Sequence, residues 1–205
     1  MKKKYIILIV VVITITTLGI GIIIFNSIFT RYPNTLSEGE VPVLCLPIYN
    51  FTSCDAIQGY GQIADDFYHN GIDFGVNATT TIVSPHDAYI ETIKFWYNDK
   101  GGHWQTNVRL WLNYQWRLEI VFESWALNES YGQKQRDAII VQNGQYVKAN
   151  QSLGNLLVHG PGAHIHFGVY YNGNDKCPYN YFSSEAKVIF ENIFYRVNYT
   201  RYWCM

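Results

Sequence analysis

The sequence predicts an all-β domain outside the cell, held behind an N-terminal membrane-spanning helix and closed by one short C-terminal helix. Three observations carry this reading. Residues 5–25, YIILIVVVITITTLGIGIIIF, hold no charge, and about 20 such residues suffice for a helix to cross the hydrocarbon core. The chain is sparse in charge, 15%, and rich in aromatics, 17%, a composition suited to pleated, half-buried surfaces. Apolar and polar residues also alternate over several short stretches, as strands with one buried face require.

Taken in order, residues 1–4 form a basic cytoplasmic tail. Three lysines precede the span and only Arg31 closely follows it, which places the N-terminus in the cytoplasm and the domain outside. The apolar run exceeds the about 7–15 residues of a cleaved signal peptide and lacks a small-residue cleavage site, so it reads as a retained single-pass anchor. Residues 26–42, NSIFTRYPNTLSEGEVP, are polar with two prolines and read as a tether. Residues 43–205 form one domain. Within it, Val108, Leu110 and Leu112, then Leu118, Ile120 and Phe122, take alternate positions on either side of NYQ, a hairpin pattern. The stretch AIIVQNGQYVKANQSLGNLL gives two more strands around QNGQ. The segment SSEAKVIFENIF, 183–194, is the helix, with Ser at its cap and Glu185 close behind.

Four cysteines, grouped near the two ends of the domain, are expected to pair as Cys45–Cys54 and Cys177–Cys204 in an oxidising compartment. Five N-x-[ST] sequons, at Asn50, Asn77, Asn128, Asn150 and Asn198, suit a glycosylated surface. A net charge of −1 and the lack of any basic stripe argue against a nucleic-acid partner.

The chemistry lies in two short stretches. In GAHIHFGVY, His164 and His166 are two apart, so a strand aims both rings to one face, about 6.6 Å apart. In YHNGIDFGV, His69 and Asp73 are four apart across an Asn-Gly turn. Catalytic zinc takes three protein ligands of the His and Asp type and keeps a fourth position open. His69, Asp73 and one histidine of the H-x-H pair supply such a set, and spacing alone leaves open which of the two binds.

HNGIDF, IVSPHDAYI, VQNGQYVKANQSLGNL and GAHIHFGVY, occurring in this order over residues 60–172, resemble the M23 metallopeptidases, the lysostaphin and LytM type. The resemblance implies a two-sheet antiparallel β structure. It also implies a Zn2+ held by His69, Asp73 and His166, with His164 acting on the water and the transition state. The implied substrates are cell-envelope peptides, often glycine-containing. The sequence departs from the family in one respect. A further catalytic His is usual in a strand reading roughly Y-x-H-L, and the matching VFESWAL puts Ser124 at its place, with no His between His103 and His159. Glu123, His103 and His159 are the candidate substitutes, and His86, in SPHD, reads as a turn residue. Without a substitute, the chain is a zinc-holding binding or scaffolding module rather than a peptidase. A phosphocarrier of the sugar phosphotransferase type is disfavoured by the cysteines and the H-x-H pair.

Overall fold

The computed structural model describes residues 32–197 and 202–204. The anchor at 5–25 and the Asn198 sequon lie outside these residues. Among the described residues no helix is long and apolar enough to cross a membrane.

Strands β1 (Cys54–Gln58), β4 (Ile72–Val76), β6 (Ala88–Asn98), β7 (His103–Trp111), β8 (Trp116–Ala126), β9 (Tyr146–Val147), β11 (His164–Tyr171) and β12 (Asn174–Lys176) build one eight-stranded antiparallel sheet. Its order is β1-β4-β11-β8-β7-β6-β9, with β12 paired to β11. Among the described residues two small ladders accompany it, β5 (Thr80–Val83) with β10 (Ser152–Leu156), and β2 (Gly61–Ala64) with β3 (Phe67–His69), besides isolated bridges. One dominant sheet with two ladders therefore stands where two sheets were expected.

The alternation seen in the sequence sets the two faces of the large sheet. Leu118, Ile120 and Phe122 of β8 and Ile165, Phe167 and Val169 of β11 are fully buried. In the ladder Leu110 lies opposite Leu118 and Val108 opposite Ile120. The hairpin turn between β7 and β8 is closed by Asn113, whose Oδ1 accepts from the backbone of Gln115 at 2.9 Å and Trp116 at 2.8 Å. This is the local side-chain bonding that favours Asn in turns.

The helix expected at 183–194 forms as α2 (Ser184–Val197). Ser183 Oγ accepts from the Ala186 amide at 3.1 Å, satisfying an N-H that has no partner within the helix. Its apolar stripe, Ala186, Phe190, Ile193 and Phe194, is buried. A second helix, α1 (Glu129–Asp137), was not expected, because ESYGQKQRD has no apolar period to reveal it. What starts it is Asn128, whose Oδ1 accepts from the Tyr131 amide at 3.0 Å. The strand expected before QNGQ is reduced to a single bridge from Ile139 to Gly154.

Cys177 and Cys204 are joined, with Cα atoms 5.9 Å apart, but the expected Cys45–Cys54 bridge is absent and both are free thiols. Cys45 lies against the Ser84 and Pro85 carbonyls, whereas Cys54 begins β1 opposite Val76. The two belong to different parts of the fold despite their closeness in sequence. Burial pushes the Cys54 thiol up to about 12 and raises that of Cys45 as well, so neither is a reactive thiolate at neutral pH. Alkylation of the denatured protein without reductant is expected to label two cysteines, and four after reduction. Labelling of none without reductant would contradict the structure.

Candidate metal centre

Three adjacent strands place the two motifs face to face. Because β4 buries Ile72, Phe74 and Val76, Asp73 and Gly75 must turn to the opposite face. On β11 the same alternation turns His164 and His166 to that face. The register then sets Asp73 opposite His166 and Gly75 opposite His164. On the other side of β11, Val121 and Glu123 of β8 lie opposite His166 and His164. His69, at the end of β3, completes the cluster.

The candidate ligand atoms converge closely. His69 Nε2 is 3.0 Å from Asp73 Oδ1 and 3.0 Å from His166 Nδ1, and His166 Nδ1 is 2.9 Å from Asp73 Oδ1. A tetrahedral ion with bonds of about 2.0–2.1 Å has vertices about 3.3 Å apart, close to this triangle. The donor set of two imidazoles and one carboxylate is the chemistry borderline-soft zinc takes. His69 Nδ1–H donates to the Gly59 carbonyl at 2.7 Å, which presents the Nε2 lone pair to the cluster, as outer-shell bonds to ligating histidines do. Gly59 is itself braced. The Tyr60 amide donates to the Trp203 carbonyl at 2.9 Å, and the Cys177–Cys204 bridge ties that C-terminal stretch to the domain. Gly71 must lack a side chain, since a Cβ there would lie 2.5 Å from His166 Nε2.

Burial alone works against charge on Asp73, but hydrogen bonds from His166 and His69 and the nearby His164 outweigh it and hold the carboxyl well below the usual range. Burial likewise lowers His69, while the Asp73 bond and charge and the Gly59 carbonyl more than offset this and raise it. A raised histidine contributes to the metal-free fold below its ordinary value near 6.5, and that contribution fades as pH rises through the raised value. Zinc has to displace this proton. Zinc affinity is therefore expected to climb as pH rises from about 6.5 through the raised value of His69; a flat profile in calorimetric zinc titrations would contradict the assignment.

His164 sits beside the triangle. Its Nδ1–H donates to the Gly162 carbonyl at 2.7 Å, leaving Nε2 3.7 Å from Asp73 Oδ2 and 3.6 Å from Glu123 Oε2. All of these groups open onto a groove of about 510 Å3 with Tyr68, Lys100 and Tyr170 along its walls. A smaller cavity of about 180 Å3, lined by Asp55, Ala56, Gly75, Gly162 and Ala163, adjoins it and shares Gln58, Asp73 and His164 with it.

The structure corrects the placement of Ser124. Its side chain is fully buried and its Oγ has no hydrogen-bond partner, and it does not line the groove. The residue that faces His164 is Glu123. Unbroken alternation along β8 explains this, since Glu119, Val121 and Glu123 face the groove while Ser124 turns to the core. A bulge against β7 follows just beyond. Between the pairs Thr106–Phe122 and Trp104–Ala126, β7 has one residue, Gln105, and β8 has three, Glu123 to Trp125. Trp125 adopts φ 61°, a conformation that is strained for a bulky residue and typical of bulged, site-forming segments. Motif alignment fixes a position in the sequence, whereas the alternation from Val121 fixes which side chain faces in.

Of the candidate substitutes, Glu123 and His103 both line the groove and His159 does not. His103, read from sequence as a solvated loop residue, starts β7 and is 2% exposed. Its Nε2 lies 2.6 Å from Glu123 Oε2, and its Nδ1–H donates to the Gly101 carbonyl at 3.0 Å. His159 stacks on Tyr131, ring centroids 4.7 Å apart. His86 is a turn residue, as expected, with Nδ1–H directed to the Asp87 carbonyl at 2.9 Å.

No protein-family model matches the chain, and no curated protein sequence does. Solved structures do match. Helicobacter pylori Csd3 aligns with a TM-score of 0.51 at 20% identity, over 76% of this chain and 39% of that one. The catalytic domain of lysostaphin from Staphylococcus simulans aligns with a TM-score of 0.43 at 20% identity, over 64% and 93%. A variant of the catalytic domain of the prophage-encoded M23 protein EnpA from Enterococcus faecalis aligns with a TM-score of 0.44 at 15% identity, over 73% and 96%. At these identities the likeness is one of fold. The chain has an M23 peptidase-like fold, mostly an antiparallel β-sheet with a C-terminal helix. It carries a candidate His-Asp-His metal site.

Proposed function

We propose that the protein is a zinc-dependent hydrolase of peptide bonds in cell-envelope peptides, anchored to the membrane by residues 5–25 with its domain on the extracytoplasmic side. The observation that carries this is the convergence of His69 Nε2, Asp73 Oδ1 and His166 Nδ1 to within 3.0 Å of one another at an open groove. Zinc bound by these three residues supplies Lewis acidity toward a water and a carbonyl oxygen. The chain's own groups do the rest. His164, fixed by Gly162, directs Nε2 into the groove, where it meets the water and the oxygen that gains charge. The smaller cavity, where Ala56, Gly75, Gly162 and Ala163 stand beside the polar Asp55 and Gln58, fits short side chains on one side of the cut bond, and the larger groove takes the extended peptide on the other. The Cys177–Cys204 bridge supports an oxidising, exterior location.

The alternative is a zinc-holding module that binds a partner without turnover, and it draws on the absence of the family's second histidine from both position 123 and position 124. One assay separates the two. The zinc-loaded protein is incubated with a panel of envelope peptides, including glycine-rich cross-links, with and without chelator. Cleavage that chelation removes and zinc restores supports the hydrolase. Full zinc content with no cleavage of any peptide leaves the binding module.

A further inference from the structure

We infer that Glu123, held by His103 from the neighbouring strand, is the second acid/base group of this site, so that a carboxylate–imidazole pair built across two strands replaces the absent histidine. The inference rests on the hydrolase reading and adds to it a group that the H-x-x-x-D and H-x-H motifs do not contain.

Four features of the structure lead to it. Glu123 lies directly opposite His164 in the ladder, and its Oε2 is 3.6 Å from His164 Nε2, so the two flank one point in the groove. His103 Nε2 takes that same Oε2 at 2.6 Å, which leaves Oε1 for a water. His103 has no freedom to do otherwise. Its other nitrogen is tied to the Gly101 carbonyl, a Cβ on Gly101 would collide with its ring, and Trp125 stacks on it with centroids 4.6 Å apart and planes 25° from parallel. Finally, the arrangement is built at a cost. Trp125 reaches its position only with φ 61° and a bulge of three residues against one, and Gly160 and Gly162 must lack side chains to pass its ring, a Cβ on either falling 2.7 Å from it. Strain of this kind persists where surrounding structure enforces it, and it gathers at functional sites.

The proton balance is simple. Water oxygen forms the new C–O bond and one water proton moves to Glu123. That proton passes to the amide nitrogen as the C–N bond breaks, giving a carboxylic acid and an amine and returning Glu123 to its carboxylate. One positioned side chain can serve both halves of such a transfer. Glu123 is the catalytic residue. His103, which does not touch the substrate, is a positioning residue that fixes one carboxylate oxygen and balances its charge.

The experiment compares zinc-loaded wild type with Glu123→Gln, Glu123→His, His103→Gln and the Glu123→Gln/His103→Gln double variant on the peptide panel. Zinc content is measured for each, and Ser124→Ala serves as the control away from the groove. Glu123→Gln is expected to retain zinc and lose about 10²-fold or more in kcat, with KM changed less than about threefold. His103→Gln is expected to lose about tenfold in the wild-type background and nothing further beside Glu123→Gln, because the two act as one unit. Glu123→His should stay within about tenfold of wild type, whereas a purely structural glutamate would not be replaced this way. A readout independent of turnover is the proton spectrum, in which the His103 Nε2–H bonded to Glu123 should give a low-field resonance that Glu123→Gln removes and Ser124→Ala keeps. Equal losses for His103→Gln in both backgrounds, or an unchanged kcat in Glu123→Gln, would overturn the inference. A wild type that holds zinc and cleaves nothing would overturn it too while leaving the metal site intact. A wild type that holds no zinc would overturn both readings.

Discussion

His69→Ala is expected to lower zinc from about one ion per chain to near none and to remove peptide hydrolysis with it. The size of the effect follows from what the side chain does. Loss of an outer-shell partner already costs about 10–100-fold in metal affinity or activity, and His69 is proposed as a direct ligand, so the loss in affinity should exceed about 10²-fold. His69 is also the only one of the three that comes from outside the large sheet, at the end of β3. Its removal leaves Asp73 and His166 paired at 2.9 Å in the ladder, so the domain should still fold and the loss can be read as a loss of ligand. Zinc content equal to that of wild type, measured on folded protein, would sink the assignment.

Phe190→Ala is expected to destabilise the domain by about 3–5 kcal/mol, the usual cost of removing a fully buried phenylalanine ring. Phe190 has no exposed surface and is the centre of an aromatic group. Phe74, Tyr179, Phe182, Phe194 and Trp203 surround it, with ring centroids 5.6 to 6.2 Å away. Phe74 is the residue after Asp73 and points to the opposite face of β4, so this packing also supports the strand that carries the candidate ligand. For a domain of this size about 1 kcal/mol corresponds to 2–4 °C, which predicts a fall in Tm of roughly 10 °C. A change of less than about 1 kcal/mol in denaturant unfolding would show that α2 is not part of the cooperative core.

Particular residues show why some of the fold and site is legible in the sequence. Period-two alternation is a local property, so Leu118, Ile120 and Phe122 disclose both the strand and its buried face. The same rule puts His164 and His166 on one face. The pairing of Cys177 with Cys204 follows from simple grouping, yet the same argument fails for Cys45 and Cys54, because nearness in sequence says nothing about which strands flank each residue. Helix α1 is hidden because it buries only Gly132 and Gln135, a surface that leaves no hydrophobic stripe to detect. At the site, Ser124 takes the motif position in the sequence, but the alternation that turns Val121 to the groove turns Glu123 there too. What the sequence did not disclose is that His103, read as a solvated loop residue, is buried on the neighbouring strand against Glu123. Contacts between residues 20 positions apart on a distorted hairpin depend on register, and register is a tertiary property.

The central claim, a zinc ion held by His69, Asp73 and His166, is tested most directly by X-ray absorption at the zinc edge on protein loaded with one equivalent of the metal. The expected spectrum shows nitrogen and oxygen neighbours at about 2.0–2.1 Å, an imidazole contribution from two rings, and no sulfur at about 2.3 Å. In His166→Ala the imidazole contribution should fall by half or the metal should be lost. A wild-type spectrum dominated by sulfur, which would place the metal on the free Cys45 or Cys54, or one unchanged by His166→Ala, would contradict it.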